Sequence, residues 1–147
     1  MGRESSYYER HEKVLVVDDD RYNLEILSAM LDLRDYEIDT ASNGSEAVDR
    51  FENGQYDLIL MDIMMPELNG NVATQIIRAL EKPDKEPTRI IAVTAKQPDG
   101  NREIWEDSGF NGYLIKPFSE DSLWQVIDST DRYQVPIGFK KGNSVEI

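Results

Sequence analysis

The chain of 147 residues contains no cysteine and a single histidine, His11. The first absence excludes a disulfide framework and thiol chemistry, and one imidazole is too few for a His/Cys zinc centre. His11 sits in a polar leader and is read as a solvated residue. No apolar run approaches the roughly 18 residues of a membrane span, and the leader MGRESSYYERHEK lacks the h-region of a signal peptide. A cytoplasmic protein with no membrane insertion is therefore expected. Positive charge is also scarce, with 16 Lys and Arg against 29 Asp and Glu for a net charge of −13. A field of that sign repels nucleic acid and anionic lipid, leaving proteins, cations and small molecules as partners.

What the chain does have is enough apolar character, 39%, for one core, and a regular alternation of short β-branched runs with amphipathic segments. KVLVV (13–17) is unbroken and apolar, as suits a strand covered on both faces. RYNLEILSAMLDL (21–33) places Leu24, Leu27, Met30 and Leu31 on one helical face. YEIDTA (36–41) reads as a strand and GSEAVDRFENG (44–54) as a helix with Ala47, Val48 and Phe51 inward and Gly54 as its stop. The pattern repeats through strand 56–62, helix 71–82, strand 88–95, a shorter polar helix 101–109, strand 112–117 and helix 120–128. Five strand–helix units predict an α/β fold, a flavodoxin-like doubly wound (βα)5 with a parallel five-stranded sheet in the order 2-1-3-4-5. The expected organisation is a leader (1–12), one domain (13–128) and a tail (129–147).

Open parallel sheets bind ligands beyond the carboxyl ends of their strands. The residues there are Asp18, Asp19 and Asp20 after the first strand, Asp62 after the third, Thr94 after the fourth, and Lys116 with Pro117 after the fifth. Clustered carboxylates raise one another's pKa unless a cation sits among them. Oxygen donors with no His or Cys point to a hard ion, and a few carboxylates plus water suit magnesium. Thr94 and Lys116 are groups that hold phosphate oxygens, so the indicated chemistry is phosphoryl transfer to an aspartate nucleophile.

VLVVDDD, DLILMDIMMPELNG, IIAVTA and GYLIKPF, in this order and at these intervals, resemble the receiver domain of two-component response regulators (CheY-like) over roughly residues 13 to 128. The resemblance implies that Asp62 is the phosphoacceptor, Asp19 a direct Mg2+ ligand, Asp18 an acidic neighbour acting largely through water, and Met64 the donor of a backbone carbonyl to the metal. Met65 would flank the site beside it. Thr94 would bond the phosphoryl group and Lys116 pair with it, and Pro117 falls where the family usually has a cis peptide. Asp20 falls just past the acidic pair and is read as a helix cap. Tyr113 matches the switch aromatic, turning inward when about −1.5 to −2 charges arrive beside Thr94 and Lys116.

The same resemblance implies a phosphohistidine donor, on a sensor histidine kinase or histidine phosphotransfer protein. Slow autodephosphorylation would follow, with Met64 and Lys96 beside the path of the water. It places the output surface on the helix at 101–109 and the strand at 112–117, and a homodimer face on these with the helix at 120–128. Trp105 is open between a partner anchor and a core residue. A phosphorylatable signalling domain, rather than an enzyme acting on external substrates, is expected.

Two alternatives come from other classes. A haloacid-dehalogenase-type phosphatase would use Asp18 as nucleophile in a D-x-D pair with Asp20, but Tyr22 departs from that pattern and the model has no need of Asp62. A phosphate-independent adaptor would have no need of an intact Asp62, Thr94 and Lys116. In the tail, Tyr133, Val135, Ile137 and Phe139 alternate as in an extended segment, and Pro136 restricts it to an edge or an irregular path. Docking on its own domain, docking on a second chain and a linker from a longer protein remain three open readings.

Overall fold

A computed structural model of the chain describes residues 12–95 and 109–130. Their parallel sheet has the order β2-β1-β3-β4-β5, as expected. The strands are β1 (Lys13–Val17), β2 (Glu37–Ala41), β3 (Leu58–Asp62), β4 (Arg89–Thr94) and β5 (Gly112–Ile115). Four helices are described: α1 (Arg21–Asp32), α2 (Gly44–Asn53), α3 (Gly70–Leu80) and α4 (Glu120–Ser129). The central strand β3 is buried along its whole length, which is why LILMD carries no alternation. Edge strand β2 has one fully buried residue, Ala41, and reads EIDTA.

Successive strand residues point to opposite faces, so each strand feeds two cores. Leu15, Val17, Ile59, Met61, Ile90 and Ala92 pack with Ala47 of α2 and with Ala73 and Ile77 of α3. Val14, Val16, Leu58, Leu60, Ile91 and Val93 pack with Leu27 and Leu31 of α1 and with Leu123 and Ile127 of α4. The inward set expected for α1 holds in full: Leu27 and Leu31 are buried, and Leu24 and Met30 pack against them half-buried.

Each described helix starts at a polar cap beyond a strand's carboxyl end. The side chains of Asp20, Asn43, Asn69 and Ser119 accept from backbone N–H groups of the first turns of α1, α2, α3 and α4. Residues 101–108 of the helix expected at 101–109, with Trp105, and Lys96, His11 and residues 131–147 of the tail lie outside the described residues. Among the described residues no helix is long and apolar enough to cross a membrane.

Candidate functional site

The register of β1, β3 and β4 brings their carboxyl ends level: Val17 lies beside Met61, and Asp62 beside Val93. Asp18 follows β1, and its backbone N–H donates to the Ala41 carbonyl at 3.1 Å. Its Oδ1 accepts from the Asp20 backbone N–H at 2.9 Å. That bond orients the carboxylate, and Oδ2 is left buried with no hydrogen bond. Asp20 is the α1 cap, its Oδ1 accepting from Tyr22 N–H at 2.9 Å. It stands apart from the cluster formed by Asp18, Asp19 and Asp62, whose ligand oxygens lie within 4.8 Å of one another.

Asp18 and Asp62 are only 1% and 2% exposed, whereas Asp19 faces solvent. The described cation among them is Lys116, whose Nζ donates to Asp62 Oδ1 at 3.0 Å and lies 3.5 Å from Asp18 Oδ2. Burial pushes the Asp62 carboxyl up to about 6, with repulsion from Asp18 and Asp19 adding to it and the Lys116 hydrogen bond opposing. At Lys116 burial works to lower the pKa. The hydrogen bond to Asp62 and the attraction of Asp62 and Asp18 outweigh it, so the ammonium is held above its usual range. Three carboxylates against one ammonium leave uncompensated negative charge. An all-oxygen donor set in which the buried Asp18 Oδ2 has no hydrogen bond, with only the Lys116 ammonium at 3.5 Å, fits a small hard divalent cation such as magnesium.

Thr94 ends β4 almost fully buried, and its carbonyl accepts from Lys116 N–H at 2.7 Å. The Lys116–Pro117 peptide bond is cis. Tyr113 pairs with Ala92 and packs half-buried against the core on the α2 and α3 side. Met64, two residues past Asp62, turns its side chain to solvent at 75% exposure, so any contribution it makes to the site is through its backbone. Met65 is buried.

Two glycines that sequence reasoning did not single out hold the loop after Asp62. A Cβ on Gly70 would stand 2.1 Å from the Asp62 carbonyl oxygen, and one on Gly44 would stand 2.4 Å from that of Leu68. Gly70 N–H also donates to Ile63 O at 3.0 Å. The signal was present: each glycine follows an asparagine cap, where a helix start meets the backbone of the neighbouring loop.

Comparison with known proteins agrees with this geometry. The family model described as the response regulator receiver domain matches residues 14–128. The chain is 40% identical over 129 residues to hybrid signal transduction histidine kinase B of Dictyostelium discoideum, covering 81% of this chain and 7% of that protein. Thus it spans a small part of the length of that relative. It resembles the receiver domain of a sensor histidine kinase from Pseudomonas aeruginosa, solved with a magnesium ion coordinated in the active site cleft. That likeness has a TM-score of 0.70 at 35% identity and covers 82% of this chain and 100% of the other. It also resembles the response regulator TrrA of Thermotoga maritima, solved in complex with Mg2+–BeF, with a TM-score of 0.67 at 35% identity over 78% of this chain and 94% of that one. The match across nearly the whole described fold, with the acidic cluster at its expected edge, establishes that the chain belongs to the response regulator receiver domain family.

Proposed function

We propose that this domain accepts a phosphoryl group onto Asp62 from a phosphohistidine of a sensor histidine kinase or histidine phosphotransfer protein, with Mg2+ as cofactor, and later loses it to water. The observation that carries the reading is the convergence of Asp18, Asp19 and Asp62 oxygens within 4.8 Å while Lys116 holds Asp62 at 3.0 Å. The magnesium-containing receiver structures that this chain resembles support it.

A carboxylate oxygen of Asp62 attacks phosphorus as the bond to the donor imidazole nitrogen breaks, and an acyl phosphate results. Asp18, Asp19, Asp62 and the Met64 backbone carbonyl would hold the magnesium, which supplies neutralisation of the carboxylates and of phosphoryl charge. Lys116 pairs with a phosphoryl oxygen, and the Thr94 hydroxyl bonds another. Their movement toward the new charge frees space beside the core, which the Tyr113 ring fills, changing the surface around β5. Asp20 is occupied as the α1 cap, and nothing in the geometry favours a phosphatase with an Asp18 nucleophile.

The test is intact mass and peptide mapping after incubation with magnesium and a small acyl-phosphate or phosphoramidate donor. One adduct on Asp62, absent in Asp62→Asn and absent on chelation, is the expected result. An adduct on Asp18 would move the chain to phosphatase chemistry, and no adduct would favour a phosphate-independent adaptor.

A further inference from the structure

The chain contains four Asn-Gly pairs: Asn43-Gly44, Asn53-Gly54, Asn69-Gly70 and Asn111-Gly112. Such pairs undergo intramolecular deamidation when the glycine nitrogen can reach the asparagine side chain, because no Cβ on the following residue blocks the approach. The reaction needs two freedoms. The side-chain carbonyl carbon must swing onto the next backbone nitrogen, and the backbone must flatten into a five-membered ring.

Three of the four pairs lack both. Asn43 Oδ1 accepts from Glu46 N–H at 2.7 Å, and Asn69 Oδ1 accepts from Val72 N–H at 3.0 Å. Asn111 Oδ1 accepts twice at 2.8 Å, from Ile90 N–H and from Arg78 Nη2. Their glycines are pinned as well. Gly44 and Gly70 abut neighbouring backbone carbonyls closely enough to exclude a Cβ, and Gly112 is paired with Ile91 in the sheet. Asn53 differs. It ends α2 on the surface, and its side chain is held through Nδ2, the nitrogen that leaves, which donates to the Asp49 carbonyl at 2.8 Å, rather than through Oδ1. Gly54 is only partly buried, and a Cβ there would stand 3.2 Å from the Arg50 carbonyl of the same helix, a close contact but not the overlap of 2.1 to 2.4 Å found at Gly70 and Gly44.

We infer that Asn53 is a site of spontaneous covalent modification, set apart from the other three pairs by the fold. The Gly54 nitrogen bonds to Asn53 Cγ, the Cγ–Nδ2 bond breaks, and Nδ2 leaves as ammonia with the proton from the Gly54 amide. Water then adds to either carbonyl of the succinimide, giving aspartate or isoaspartate. Either product places a negative charge beside Glu52 at the carboxyl end of α2, where the helix dipole disfavours it. Isoaspartate also lengthens the backbone path leading to β3. The change lies at the opposite end of the sheet from Asp62, so it alters the surface near Gly54 and Tyr56 rather than the acidic cluster.

The full-length protein would be incubated at mildly alkaline pH and mapped by peptide mass spectrometry with separation of aspartate from isoaspartate, alongside a denatured sample. In the native protein Asn53 should convert faster than Asn43, Asn69 or Asn111 by about tenfold or more, because Gly44, Gly70 and Gly112 are held against neighbouring backbone or in the sheet and Gly54 is held less. In the denatured sample the four should converge, and Gly54→Ala should slow Asn53 in the native protein. Equal native rates at the four pairs, or a faster reaction at one of the other three, would overturn the inference. So would unchanged Asn53 conversion in Gly54→Ala.

Discussion

The two ends of the sheet solve opposite electrostatic problems. At the carboxyl end, Asp18, Asp19 and Asp62 crowd around one lysine, and a buried carboxylate oxygen has no hydrogen bond. At the amino end, the Arg78 guanidinium makes bonds of 2.8 to 3.1 Å to the carbonyls of Gly109 and Thr88, the Asn111 side chain and the Glu81 carboxylate. Glu81 in turn accepts from Thr88 N–H at 2.8 Å, and Asn111 from Ile90 N–H at 2.8 Å. Burial lowers the Arg78 pKa, with Glu81 opposing, yet its partners satisfy the guanidinium. One end ties α3 to the starts of β4 and β5, and the other leaves negative charge uncompensated, as the proposed cation and phosphoryl chemistry would require. The lesson is that buried charge in one small domain serves cohesion where its partners are complete and chemistry where they are not.

The largest effect on this contrast should come from breaking the satisfied end. Arg78→Ala takes the guanidinium from the Gly109 and Thr88 carbonyls and leaves Glu81 and Asn111 with only their backbone donors, and should destabilise the domain by about 3 kcal/mol in urea unfolding. A change below about 1 kcal/mol would show that water replaces the guanidinium readily.

Relieving the other end should act in the opposite direction. The folded pKa of Asp62 is raised from 3.8 to about 6, so the folded state holds a proton that the unfolded state has released. Metal-free stability is therefore unaffected below the unfolded value, falls as pH rises between the two values and stays lowered above the higher one. Asp62→Asn should stabilise the metal-free domain by about 2 kcal/mol at neutral pH, after allowance for solvent at the site mouth, with the difference vanishing in acid. A pH-independent difference in urea midpoints would contradict the cause given.

Asp20 separates capping from charge. Asp20→Ala removes the bond to Tyr22 N–H and should cost about 1 kcal/mol, while Asp20→Asn retains the cap and should cost a few tenths. Equal losses in the two variants would assign the effect to charge instead. Smallest of all should be the surface pair Arg34–Asp128, where Arg34 also stacks on Trp124 at 4.1 Å. Its hydrogen bond to Arg34 holds the Asp128 carboxyl below its usual range, so its contribution is present above the unfolded pKa and lost as pH falls through the folded value. The small deficit of Asp128→Asn at neutral pH should disappear in strong acid in thermal unfolding.

These two ends differed in how much of them could be read in advance. The strands and helices follow from period-two and helical spacing, and the acidic cluster follows once each strand's last residue is placed at one edge. Asp18, Asp19, Asp62 and Lys116 meet because the strand order makes them neighbours. The amino-end network had no such signature. Nothing in the spacing of NVATQIIRALEK marks Arg78 as the half-buried centre of a network, and two of its four acceptor residues, Gly109 and Thr88, offer backbone carbonyls, which any sequence supplies. Likewise the clamps at Gly44 and Gly70 depend on how closely two loops approach, a distance that local pattern does not encode.

Thermal unfolding of the wild-type chain and Asp62→Asn, each titrated with magnesium, tests the central claim that the carboxyl end stores repulsion for a cation to relieve. The account predicts that the variant is the more stable without metal, that magnesium raises the wild-type midpoint, and that the variant gains less. A wild-type midpoint indifferent to magnesium, or a metal-free variant less stable than wild type, would contradict it.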